Sequence, residues 1–228
     1  RVHVMTVSFS KFLRYVLAAA VVGAGGGAMA DSNLLLRLQF AGTTALLANT
    51  NAAYLTNFAA LPEAATFGTH LTSRAAALPA QLLAGTDTNR NIAMVRPVFA
   101  EWLARGFTLE LHGDKNGVTD FVIAAKADAE TAKRWASAWD FAATAWSLNG
   151  QIKAKHTGEW FVVAGAKTNA ARVLEAMHQT IGNLPLETNA VLQGELSSAL
   201  VPGPIQRSVY GNFERLTLTV MPDNQNLK

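Results

Sequence analysis

The chain has 228 residues, half of them apolar, with 15% charged and 8% aromatic, which excludes a disordered polyampholyte and suits one globular domain or two small ones. Its excess of +3 comes from 19 Lys and Arg against 16 Asp and Glu, but Arg1, Lys11 and Arg14 precede the first acid, Asp31, and leave a body balanced at 16 against 16 with no electrostatic reason for a nucleic-acid or anionic-membrane partner. The absence of cysteine excludes disulfides, a thiol nucleophile, iron-sulfur clusters and every Cys-containing zinc site.

Lys11 and Arg14 are followed by the apolar run Tyr15 to Val22, a Gly-rich stretch from Gly23 to Gly27, and Ala28-Met29-Ala30. That order is the order of a secretory signal peptide, with small side chains at Ala28 and Ala30 for the peptidase and a cut before Asp31. Residues 1–30 are therefore expected to be removed, and residues 31–228 to form a single α+β domain in the periplasm or outside the cell. The competing reading is an uncleaved anchor, which would be the only membrane contact, but the run is shorter than the ~20 apolar residues that span a bilayer. Met5 is the natural start, so residues 1–4 would lie upstream of it. The glycines lack the following Lys-Ser/Thr and the spacing of a phosphate loop.

Leu34, Leu36, Leu38 and Phe40 alternate with Arg37 and Gln39 as one face of a strand. A helix capped by Thr50 would carry Leu55, Phe58 and Leu61. Pro62 and Glu63 suit the first turn of a second helix, with Phe67, Leu71, Arg74 and Leu78 along one stripe and Pro79 ending it. After the polar loop from Gly85 to Asn91, Ile92, Val95, Phe99 and Leu103 return to helical spacing, and Pro97 falls in the first turn.

From Gly106 the period changes to two: Phe107, Leu109 and Leu111 alternate with Thr108, Glu110 and His112. Asp114-Lys-Asn-Gly117 then turns the chain into Val118 to Ala125, with Asn116-Gly117 expected to take the positive backbone angles. Asp128 caps a helix bearing Trp135, Trp139, Ala142 and Trp146. The order repeats in a second hairpin, Ile152 to His156 and Trp160 to Ala164 about Thr157-Gly158, followed by Thr168 as cap and Ala171, Leu174, Met177 and Ile181 along a helix. Two β-β-α units, about forty residues apart, predict a mainly antiparallel sheet with the N-terminal helical segment packed on it. Phe213 to Val220 alternates as a last strand, and the short polar tail after it suggests a missing neighbour and a truncated C-terminus.

Motifs that carry chemistry are sparse. Of His70, His112, His156 and His178, no two have the i, i+4 spacing of a helical zinc pair, so neither metal nor cofactor is expected. There is no Gly-x-Ser-x-Gly, and Ser197-Ser198 stands in a loop with no visible base. Glu101, Glu110 and Asp120 adjoin apolar runs that could raise a carboxyl pKa, although solvated ends and cross-strand pairs explain them better. Trp135, Trp139 and Trp146 could stack sugars, but helical spacing favours a core role for them, as for Trp102 and Trp160. Lys153 and Lys155 share a strand face that a solvated edge would explain.

Phe40-Ala-Gly-Thr-Thr-Ala-Leu-Leu-Ala-Asn-Thr-Asn-Ala-Ala53 and Leu61-Pro-Glu-Ala64 resemble the opening of a functionally uncharacterised group of exported bacterial proteins common in Verrucomicrobia-like genomes. The resemblance extends loosely over the hairpin-helix units and Leu216-Thr-Leu-Thr-Val220, after which such proteins continue. It implies export and an α+β envelope domain, and supplies no catalytic or binding residue. The expectation is thus a non-enzymatic domain that binds or scaffolds an envelope component or protein partner, with a hydrolase of an envelope polymer or glycan as the alternative. Expression from Met5 in a Gram-negative host should give a mature N-terminus at Asp31 by mass spectrometry; a membrane-retained product still beginning at Met5 would defeat the leader assignment.

Overall fold

The computed structural model describes residues 33–48, 61–84, 92–114, 116–178, 190–200 and 215–221. The expected leader, with Ala28, Ala30 and Asp31, lies outside them, as do the Thr50 cap with Leu55 and Phe58, and Ile181. The described residues form seven strands: β1 (Asn33–Phe40), β2 (Phe107–Asp114), β3 (Gly117–Lys126), β4 (Ile152–Thr157), β5 (Trp160–Ala166), β6 (Leu192–Ser197) and β7 (Arg215–Val220). They form one sheet in the order β4-β5-β3-β2-β1-β6-β7, antiparallel at every pairing. Among the described residues five α-helices accompany it: α1 (Thr43–Ala48), α2 (Pro62–Ala84), α3 (Arg96–Arg105), α4 (Ala129–Ala145) and α5 (Ala170–His178). The architecture is α+β, with α2 and α3 of the N-terminal segment packed on the sheet.

Period two holds in β1 from Leu36 to Phe40, but a bulge between Leu34 and Leu36 breaks it before that. The extra residue lets both Leu35 and Leu36 reach 1% exposure. Among the described residues of the β2–β3 turn, Gly117 takes a positive φ, +126°, and Asn116 does not; Asn116 folds back, its backbone N–H and side-chain amide both donating to Asp114. The second hairpin turns one residue later than expected, because Thr157 pairs with Trp160 and Gly158 carries the positive φ.

Helix boundaries follow their caps. The Asp128 side chain accepts from the Thr131 N–H at 2.8 Å and starts α4. At α5 the capping oxygen is that of Asn169, which accepts from the Arg172 N–H at 3.1 Å, and not that of Thr168. Pro79 does not end α2, which runs on to Ala84. Proline has no N–H and removes one rung, yet Thr72, Ala76, Ala77, Pro79 and Ala80 are buried in a row, so packing offsets the loss. The expected stripe is rotated accordingly: Phe67 is 47% exposed and Arg74 lies on the solvent side.

One sheet face carries Leu36, Leu111, Phe121, Ile123, Phe161 and Val163, and α2, α3 and α4 cover it in the main core. Within it Trp102 stacks on Trp139 at 5.9 Å and meets Trp135 edge-on at 5.7 Å, while Phe99 lies 5.0 Å from Trp102. Gly165 sits directly beneath Phe121, where a Cβ would collide with the ring. The opposite face is apolar only over β3 and β5, where Val122, Ala124, Val162 and Ala164 pack against Leu174 of α5. The two β-β-α units therefore share strands but not helix placement. α4 already covers β4 on the first face, and α5 takes the other.

β7 is not left without a neighbour. β6, whose strand the alternation did not reveal, pairs with it from Leu192 opposite Val220 to Ser197 opposite Arg215. Trp139 is 1% exposed and touches three aromatic rings, so Trp139→Ala should cost about 3 to 5 kcal/mol. Urea denaturation measures this; an unchanged midpoint would remove Trp139 from the core.

Candidate functional site

The less apolar half of the second face lies over β6, β1 and β2. Registry places Arg37 of β1 directly opposite Glu110 of β2 on one side and Glu195 of β6 on the other. Arg37 Nε donates to Glu110 Oε1 at 2.6 Å, and Arg37 Nη1 lies 3.5 Å from Glu195 Oε2. Two residues along β2, on the same face, His112 Nε2 meets Glu110 Oε2 at 3.0 Å. Glu195, Arg37, Glu110 and His112 thus form one polar chain across three strands. Gln39, Thr108 and Asp120 are buried beside it, and Asp120 is opposite His112 and accepts from Thr119 Oγ1 at 2.9 Å.

Glu110 is 1% exposed, and not a solvated strand end. Burial is the strongest single influence on its carboxyl and pushes its pKa upward, but the hydrogen bonds from His112 and Arg37, with the Arg37 charge, outweigh it and hold the group below its ordinary value. Both oxygens are engaged, which makes Glu110 an anchored carboxylate and a poor proton donor. A Glu-His pair could orient a base. The adjacent hydroxyl, Thr119 Oγ1, is taken up by the His112 carbonyl and Asp120.

The other sequence candidates are scattered. Glu101 lies on α3, where a hydrogen bond from Arg134 lowers its carboxyl pKa against a smaller opposing effect of burial, and Trp135 Nε1 donates to it at 3.0 Å. His70 is exposed on α2, and His156 Nε2 lies 3.1 Å from the Ala127 carbonyl oxygen. His178 ends α5. Ser197 closes β6 and its Oγ accepts from Ala199 N–H, so the serine pair begins in a strand and not in a loop. Lys153 and Lys155 are exposed on β4, an edge of the sheet, and Lys155 lies 3.5 Å from Glu175. Among the described residues, no group of His, Asp and Glu could hold a metal ion.

The tryptophans offer no sugar platform as folded. Trp135 and Trp139 are 0% and 1% exposed, their faces occupied by Trp102, Phe161 and Phe99, and Trp146 is half-buried edge-on to Trp139. Trp102 and Trp139 also have indole N–H groups with no acceptor. The same packing leaves space beside Trp102. A cavity of about 110 Å³ separates the sheet from α2 and α3, with Leu36, Leu38, Leu109, Leu111 and Ile123 below it. Leu71, Ala75, Leu78, Pro79 and Leu82 of α2 lie above, and among the described residues no charged side chain lines it. Left empty, a cavity of that size costs about 2 to 3 kcal/mol relative to a filled one. Sequence periodicity missed it because the leucines that line it read as ordinary core. No protein-family profile, curated protein or solved structure matches the chain, so the assignment of function rests on this geometry.

Because the folded pKa of Glu110 is below its unfolded value, the unfolded chain takes up that proton first as pH falls. The stabilisation is complete above the ordinary value of 4.5 and is lost as the pH drops through the lower folded value. Glu110→Gln should cost about 2 to 3 kcal/mol at neutral pH; the figure is moderate because 31% of the Arg37 side chain stays exposed. The gap from wild type should narrow in acid. Urea titrations at both pH values check it, and a gap that does not change with pH would contradict the pairing.

Proposed function

We propose that this chain is an exported, envelope-associated domain that acts by binding or scaffolding and not by catalysis. The observation that carries the reading is the apolar cavity between the sheet and α2, whose described lining is hydrocarbon and suits the holding of an apolar group. The polar clusters support it from the other side, because each satisfies itself. Glu110 is closed by Arg37 and His112, Glu101 by Arg134 and Trp135, and Asp128 by Thr131. The order of charge, apolar run and small residues at Ala28 and Ala30, with cleavage before Asp31, supports passage to the periplasm or beyond. Among the described residues, no helix is long and apolar enough to cross a membrane.

One observation favours the alternative, a hydrolase of an envelope polymer or glycan: the Glu110-His112 contact at 3.0 Å resembles a base with its orienting carboxylate. The two readings differ in what purified protein does to envelope material. Incubation with peptidoglycan sacculi and envelope glycans should release no soluble fragments, while the protein itself sediments with the envelope fraction. Fragment release by wild type that disappears in a folded His112→Gln variant would establish the hydrolase instead.

A further inference from the structure

We infer that the first half of α2 is the contact surface of an antiparallel dimer, in which Phe67 of each copy packs over Gly68 of the other. The inference is independent of the cavity and goes beyond the reading above by naming a partner, a second copy of this chain. It starts from an imbalance along the helix. The buried residues of α2 are Thr72, Ala76, Ala77, Pro79 and Ala80, all in its second half. The turns from Pro62 to Leu71 bury none. A helical stretch of about ten residues has little stability of its own in water and draws it from an apolar face packed on something else. Ala64, Phe67, Gly68 and Leu71 supply such a face at i, i+3, i+4 and i+7, and Phe67 is 47% exposed on it.

Gly68 marks where the second helix comes closest. Inside a helix glycine is the least favourable residue after proline, and its use there is to let another group approach the backbone. A Cβ at Gly68 would meet nothing within 4 Å among the described residues, so the space is open to a neighbour. Charge selects that neighbour and its direction. Glu63 and Arg74 are exposed on one flank of the apolar stripe and form no ion pair among the described residues. They are separated by roughly 17 Å of helix, with Gly68 near the midpoint. A twofold axis beside Gly68 therefore brings Glu63 of each copy to Arg74 of the other and lays each Phe67 over the opposite Gly68. A parallel pair would leave the two charges at opposite ends of the contact. About three turns of helix bury less than the ~1,200 Å² of a stable complex, so the dimer is weak and forms only at high concentration.

Sedimentation equilibrium of the purified chain between about 10 μM and 1 mM should show monomer passing into dimer. Glu63→Arg and Arg74→Glu should each weaken association by about tenfold or more, because each sets like charges together at both ends of the contact. An equimolar mixture of the two variants should associate as wild type does, since every Arg then meets a Glu of the other variant. Gly68→Leu should dimerise about tenfold more weakly while circular dichroism finds it folded, because the new side chain enters open space and favours the helix. Phe67→Ala, at an exposed position, should have the same effect and serves if the leucine variant does not fold. A chain that stays monomeric at about 1 mM overturns the inference and leaves the stripe to a partner of another kind. A dimer indifferent to both charge variants overturns it as well, as does a mixture of the two folded variants that remains monomeric.

Discussion

A carboxylate with 1% exposure cannot stand in a sheet without partners, and Glu110 acquires its guanidinium partner only if β1 is in one register. Arg37 reaches Glu110 because the two are directly opposite, and reaches Glu195 because β6 is aligned just as strictly on the other side. A slip of one residue in β1 would carry Arg37 to the leucine-lined face and Leu36 or Leu38 to the polar one. It would also take the Arg37 charge away from Glu110 and leave it only the contact with His112 of its own strand. The apolar alternation of β1 and the ion pair thus enforce the same register. The bulge between Leu34 and Leu36 confines the irregularity to the end of the strand beyond the pair.

The two faces of the sheet do different work as a result. The face under α2, α3 and α4 is apolar over β1, β2, β3 and β5, with His156 of β4 at its margin, and there small residues on α2 leave unfilled volume. The other is divided between an apolar patch under α5 and the polar chain over β6, β1 and β2. Electrostatic demands are met on one side and unfilled apolar volume lies on the other. A ligand between the sheet and α2 would not have to disturb the ion pairs that hold the strands together.

Much of this was readable from residue order. Alternation at Phe107 to Leu111 located β2, Asp114 and Gly117 bracketed its turn, and Asp128 marked the start of α4 by the cap that it makes. Elements were missed where local chemistry and tertiary packing disagree. Pro79 is a helix breaker by its own geometry, but buried alanines on either side carried α2 past it. In β6 glycine occupies the core face at Gly194 and weakens the apolar alternation of Leu192 and Leu196, so only pairing with β1 and β7 reveals a strand. The candidate site divided in the same way. Glu110 and His112 could be placed on one face from their spacing, but the burial of that face depends on the whole sheet. The cavity was invisible, since a void is a property of how surfaces meet and of no single stretch of chain.

The central position of β1 has a consequence for how the sheet assembles. Hairpins β2–β3 and β4–β5 pair residues near one another in sequence and can close early. Arg37 is 73 residues from Glu110, and its second partner is further along still. A chain made from its N-terminus therefore presents β1 first among the described strands and completes its pairing only when β6 has been made. Until β6 arrives, Leu36 and Leu38 have one wall of their environment missing and Arg37 keeps part of its hydration. Assembly at the centre of the sheet runs against the order of synthesis, and the strand that everything else is built around is the one that waits longest for its neighbours.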